Sequence, residues 1–176
     1  MSNVNNPHGF RPLMRTIDGG FPSTREFKKV VGLGTAVFEW DVVGRVADGS
    51  IDVAGNLTPG TTNWSGVALN YGAASTATNH IVIESPGAVF EAQDDDTVTG
   101  LVEADMGLNA NLVATAGDAT LKRSKHQINH TGVDVTNSLD LHLLSKYDVP
   151  DNAYGPNCRI EVIFNKHRMN GLTVGV

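Results

Sequence analysis

CRIEVIFN, residues 158–165, sets Ile160, Val162 and Phe164 at every second position, with Arg159, Glu161 and Asn165 between them. A period of two is the mark of a strand with one face buried and the other wet. The same alternation recurs upstream. In AVFEWDVV, residues 36–43, Phe38, Trp40 and Val42 face one way and Glu39 and Asp41 the other. Ile51 and Val53 alternate after a DGS turn, Val67, Leu69 and Tyr71 share a face in SGVALNY, and Ile81 pairs with Ile83 in HIVIE. SLDLHLLSKY, residues 138–147, places Leu139, Leu141 and Leu143 on one face and reads as a strand in preference to a short helix. TGLVEADMGL has room for one helical turn, from Thr99 to a stop at Gly107. Short strands separated by Gly, Pro and Asn turns predict an all-β fold, a small barrel or sandwich of jelly-roll-like or tulip-like form. A chain of 176 residues fits one such domain.

The opening residues break this pattern. Pro7, Pro12 and Pro22 each remove a backbone donor, and Gly9, Gly19 and Gly20 loosen the chain between them. Phe10, Leu13, Met14, Ile17, Phe21 and Phe27 are nevertheless too apolar for a solvated linker. The expected organisation is an extended N-terminal arm over residues 1–29, a β-body over 30–165 and a short C-terminal tail over 166–176. On this reading the arm lies against a partner. The alternative is that it wraps its own body as an irregular cover for an open sheet edge.

Composition excludes several function classes. The formal charge is −6, from 19 acids against 13 bases. That balance argues against direct nucleic-acid binding, which needs Lys and Arg to neutralise phosphates. Basic residues gather near the ends, at Arg11, Arg15, Arg25, Lys28 and Lys29, then Lys166, His167 and Arg168; the plain reading is a solvated surface, and the sharper one is that they meet an acidic partner or another copy of the chain. No run is long enough to cross a membrane, no signal peptide is expected, and the single Cys158 cannot form an intramolecular disulfide.

No catalytic signature is expected. GLGTAV has Val37 where a dinucleotide loop needs its third glycine, and no serine sits in a Gly-x-Ser-x-Gly elbow. His126 and His130 are four apart, a zinc spacing on a helix, but the surrounding residues favour strand and turn, where that spacing separates them. QDDDT, residues 93–97, lacks the glycine and distal glutamate of a calcium loop and reads as an acidic turn. Cys158 reads as a small buried hydrophobe. No metal and no cofactor are expected. Trp64, in TTNWSG, suits either an interface between copies or an exposed platform for a sugar ring.

A β-body with apolar flanks and no site chemistry suits a protein that binds other proteins. NNPHGFRPLMRT, VVGLGTAVFEWDVVGRVADGSI, TPGTTNWSGVALNYGAASTATNHIVIESPGAVFEAQ and DVPDNAYGPNCRIEVIFNKHRM together resemble tailed-bacteriophage virion proteins, the capsid decoration or cement proteins of the head. The resemblance implies synthesis in the host cytoplasm and a final place on the outer surface of an icosahedral capsid. It implies the major capsid protein as partner and a homo-oligomer, a trimer ahead of a dimer. Phe10, Leu13, Ile17 and Phe21 would then lie in grooves between subunits, and Arg11, Arg15 and Arg25 would pair with acidic residues of the shell. Trp64, Lys166 and Arg168 are candidates for a further interface. Other expectations are a head-fibre base or tail component and a carbohydrate-binding module.

Overall fold

The computed structural model describes residues 3–29, 32 and 34–169. Its strands are β1 (Arg11–Thr16), β2 (Thr24–Lys28), β3 (Val42–Arg45), β4 (Ile51–Val53), β5 (Trp64–Ala68), β6 (Asn79–Ile83), β7 (Ala88–Gln93), β8 (Asn109–Ala110), β9 (Leu112–Val113), β10 (Gln127–Ile128), β11 (Leu141–Lys146) and β12 (Arg159–Phe164). Among the described residues the only helical pieces are two 3₁₀ turns, Ala54–Asn56 and Glu103–Asp105. The protein is all-β. Two five-stranded antiparallel sheets, in the orders β1-β7-β12-β11-β8 and β2-β6-β5-β3-β4, form a sandwich, with β9 and β10 as a small third sheet.

The first sheet follows the alternation in the sequence. Ile160, Val162 and Phe164 of β12 point inward beside Leu141 and Leu143 of β11 and Phe90 of β7. They meet Val42, Trp64, Val67 and Ile83 from the second sheet, so the main core lies between the two. SLDLHLLSKY is a strand, with Leu139 preceding it. The single helical turn expected from Thr99 begins later, at Glu103.

The second sheet departs from simple alternation because both of its faces are covered. Val42, Val67 and Ile83 enter the main core, while their neighbours Val43, Ala68 and Val82 join Phe27, Val37, Ile51 and Val53 in a second cluster on the outer face. Strands buried on both sides read as continuous apolar runs. The face assigned to Phe38, Trp40 and Val42 is therefore corrected: β3 starts only at Val42, and Trp40 has a left-handed φ of 69° that breaks the alternation before it. Ile81 and Ile83 also part company, since Ile81 is 48% exposed and Ile83 is in the core. Gly66 takes φ 136° and brings β5 so close to β6 that an added Cβ would stand 1.8 Å from the Ile83 carbonyl oxygen.

The expected boundaries of arm and tail are also corrected. The N-terminal segment supplies one edge strand to each sheet, β1 beside β7 and β2 beside β6. Unpaired sheet edges need cover, and Pro12 is tolerated on an edge strand, where one side of the ladder is free. The register of β1 slips between Pro12 and Thr16, and Met14 there has φ 55°. Phe10 is fully buried, its ring stacked 6.1 Å from that of Phe164. Before it, the chain crosses the outer face of β7, where Gln93 accepts from the Asn6 amide and donates to the Val4 carbonyl. At the other end, the Trp64 amide donates to the Lys166 carbonyl and the Arg168 amide to the Trp64 carbonyl, so the start of the expected tail is part of the body. Residues 170–176 of that tail lie outside the described residues.

Candidate docking surface

The connection from β1 to β2, IDGGFPS over residues 17–23, spans the two sheets at one side of the sandwich. Its turn is tightly tied. The Thr16 amide donates to the Gly20 carbonyl at 2.9 Å, the Gly19 amide to the Thr16 carbonyl at 3.0 Å and the Gly20 amide to the Thr16 hydroxyl oxygen at 2.9 Å. The Thr16 hydroxyl donates in turn to the Asp18 carboxylate, and that bond holds the Asp18 carboxyl below its ordinary range. Gly19 takes φ 85°, a left-handed conformation that favours glycine. A second loop, residues 85–87, braces the first: the Ile17 amide donates to the Gly87 carbonyl at 2.9 Å and the Ser23 amide to the Ser85 hydroxyl oxygen at 2.6 Å.

This bracing presents apolar side chains to water. Phe21 is 89% exposed and Ile17 is 58% exposed, and both line a hollow of about 600 Å³ with Thr16, Gly20, Pro86 and Ile163. Met14, 52% exposed, lies on the adjoining strand. An exposed aromatic on a constrained loop forfeits about 1.5–3 kcal/mol of burial that a partner can supply. Because the loop is already ordered, little conformational entropy remains to be lost on docking.

The residues expected to contact a partner therefore divide. Ile17 and Phe21 come together at this surface, whereas Phe10 belongs to the core and Leu13 is half-buried in β1. The three arginines have partners on their own chain. Arg11 lies 2.7 Å from Glu91, Arg15 lies 2.5 Å from Glu161 and Arg25 lies 3.5 Å from Glu84. Glu91 is fully buried and also meets His8 at 3.1 Å and Arg159 at 3.9 Å. Burial pushes its carboxyl up, but the His8 hydrogen bond and the charges of Arg11 and Arg159 outweigh that and hold it below its ordinary range. Arg11 thus pairs with a buried carboxylate of its own chain.

Trp64 is fully buried and its indole N–H donates to Asp140 at 2.9 Å, so it serves neither a sugar platform nor an interface. The Lys166 ammonium donates to the Gly60 carbonyl, while Arg168 is exposed. Pro86 and Ile163, which also line the hollow, carry no sequence signal for it. Pro12 inside an apolar stretch is the sequence signal for the irregular strand that carries Met14. The pairing of residues 17 and 87 has no local signal.

The acidic turn has a structural use. Asp96 accepts from the amides of Val98, Thr99 and Gly100, each at 2.9 Å, while Asp94 accepts from Leu101 and Asp95 from His130, also at 2.9 Å. Among the described residues no three metal-ligating side chains converge. His126 faces Asp41, and His130 faces Asp96 at 3.6 Å. Cys158 is buried, which pushes its thiol up to about 12, with Asp94 adding to the shift.

Burial likewise pushes the Asp94 carboxyl up to about 6, against the amide bonds that favour its charged form. Between about pH 4 and 6 Asp94 then holds its proton in the folded chain and not in the unfolded one, so the contribution of this group to stability falls as pH rises through that window. The stability of Asp94→Asn relative to the wild type is expected to shift in the variant's favour from pH 4 to 7. Urea unfolding at four pH values checks this, and parallel curves would contradict it. No protein family, curated protein or solved structure matches this chain.

Proposed function

We propose that this is a non-enzymatic structural protein of the virion, a decoration or cement protein on the outer surface of an icosahedral phage head. The loop between β1 and β2 docks on the major capsid protein, and copies of the chain associate with one another, as a trimer ahead of a dimer, to bridge capsomer junctions. One observation carries the reading: Phe21 and Ile17 are held exposed on one hollow by a turn closed through Thr16 and braced on the 85–87 loop through Ile17 and Ser23. Large exposed apolar groups on a rigid surface mark protein contacts. The resemblance of the sequence to head decoration proteins supplies the partner. Symmetric copies multiply a modest contact through avidity, which suits a shell of repeating sites.

Phe21→Asp tests the reading in sedimentation with expanded heads of the parent phage. Phe21 touches little of its own chain, so the fold is expected to stay within about 0.5 kcal/mol of wild type. Binding per site is expected to weaken about tenfold to a hundredfold, the loss of one buried aromatic. Full binding by a doubly substituted I17D/F21D chain would contradict the docking role of the loop.

A further inference from the structure

We propose that the hollow of the docking loop takes a basic side chain of the partner, an arginine or lysine flanked by apolar residues, with its stem on Phe21 and its charged head at Asp18. This deepens the docking reading above and rests on it. The hollow joins two kinds of surface. Ile17, Phe21, Pro86 and Ile163 make it apolar, and Asp18 lines the same space. No basic residue is in its lining. The Thr16 hydroxyl donates to Asp18, and among the described residues no Lys, Arg or His forms an ion pair with that carboxylate. The two arginines that flank the loop in sequence are engaged with other acids, Arg15 with Glu161 and Arg25 with Glu84 at 3.5 Å. Asp18 therefore brings an ionised group to the hollow without a cation of its own chain beside it.

In the free chain water solvates this carboxylate. Docking changes that. A partner that covers Phe21 and Ile17 also strips water from Asp18, and a carboxylate desolvated without a counter-charge costs more than the burial of one aromatic returns. The carboxyl does not escape by taking up a proton near neutral pH, because the Thr16 hydroxyl, aided by backbone amides, holds it below its ordinary range. A purely apolar occupant leaves that cost in place, and an acidic one adds repulsion. A lysine or arginine answers both surfaces at once. Its alkyl stem covers apolar area while its head stays polar, a cation sits well on an exposed aromatic face, and a charge-assisted hydrogen bond to the carboxylate is among the stronger contacts. The formal charge of −6 on the whole chain acts in the same sense, steering it toward a basic surface.

The test is sedimentation of the full chain with expanded heads of the parent phage at about 50 mM and about 500 mM NaCl, for wild type, D18N, D18K and F21A. Asp18→Asn keeps an oxygen that can accept the Thr16 hydroxyl, so the turn is expected to hold, and circular dichroism melts check that each variant is folded. At low salt D18N is expected to bind about tenfold more weakly than wild type, and D18K more weakly again. Added salt is expected to weaken the wild type more than D18N, because the variant has already lost the charge pair. F21A is expected to bind weakly at both salt concentrations and to keep the wild-type salt dependence, since it removes apolar contact and no charge. D18N binding as wild type does, D18K binding more tightly than D18N, or one salt dependence shared by D18N and wild type would overturn the basic occupant while a weakened F21A still upholds the docking loop. F21A binding as wild type does would overturn the docking role itself, and this inference with it.

Discussion

A chain that begins after Lys28 is expected not to fold. The deletion removes both edge strands, β1 and β2, and with them the partners of β7 and β6. It also removes Phe10 from the main core and Phe27 from the outer cluster. Loss of one buried aromatic costs about 3–5 kcal/mol, and a domain of this size has only about 5–15 kcal/mol in total. The electrostatic damage adds to this, because Glu91 would lose His8 and Arg11 while remaining within the sheet. Circular dichroism and urea titration are expected to show no cooperative transition. A truncated chain with a wild-type melt would mean that the segment is an appendage after all. The same deletion is for this reason a poor assay of capsid binding, and point changes at Ile17 and Phe21 take its place.

Trp64→Ala is expected to destabilise the protein by about 4 kcal/mol, the upper part of the range for a buried aromatic. The indole is fully buried in the main core, and its N–H is one of the donors that satisfy Asp140. That carboxylate is itself fully buried and accepts from the Gly60 amide at 2.8 Å and the Leu112 amide at 3.3 Å. Burial pushes the Asp140 carboxyl up, and the bonds from Gly60, Trp64 and Leu112 oppose that. The variant therefore leaves a cavity and a poorly satisfied charge together. A fall in Tm of about 10 °C is expected for a chain of this length. Trp64→Phe, which restores the ring but not the donor, is expected to recover roughly half. A loss below about 1 kcal/mol in Trp64→Ala would contradict the placement of the indole in the core.

The first sheet was legible because solvent covers much of its outer face. In CRIEVIFN and LHLLSK the polar residues fall where water is, and the period of two survives. The second sheet was less legible. Adjacent pairs such as Val42 and Val43, or Val82 and Ile83, serve two different cores, so their spacing carries no face information. The N-terminal segment misled for a different reason. Its prolines and glycines report local backbone freedom, whereas its place is fixed by residues about 80 positions away, among them Glu91 and Gln93. Trp64 misled in the same way, since the surrounding TTNWSG reads as a loop, whereas its indole is buried among core residues from both sheets and bonds Asp140, 76 positions away. Ile17 and Phe21 read as apolar residues without local shelter, and the fold leaves both exposed. The braced hollow around them depends on Ser85 and Gly87, whose SPG signal marks only a turn.

A cryo-EM map of the decorated head tests the central claim most directly. The proposal predicts that Phe21 and Ile17 lose their exposure beneath the major capsid protein, while residues 11–16 and 24–28 keep their pairing within the body. Density showing the 17–23 loop in open solvent, with the chain seated on the shell by another face, would contradict it.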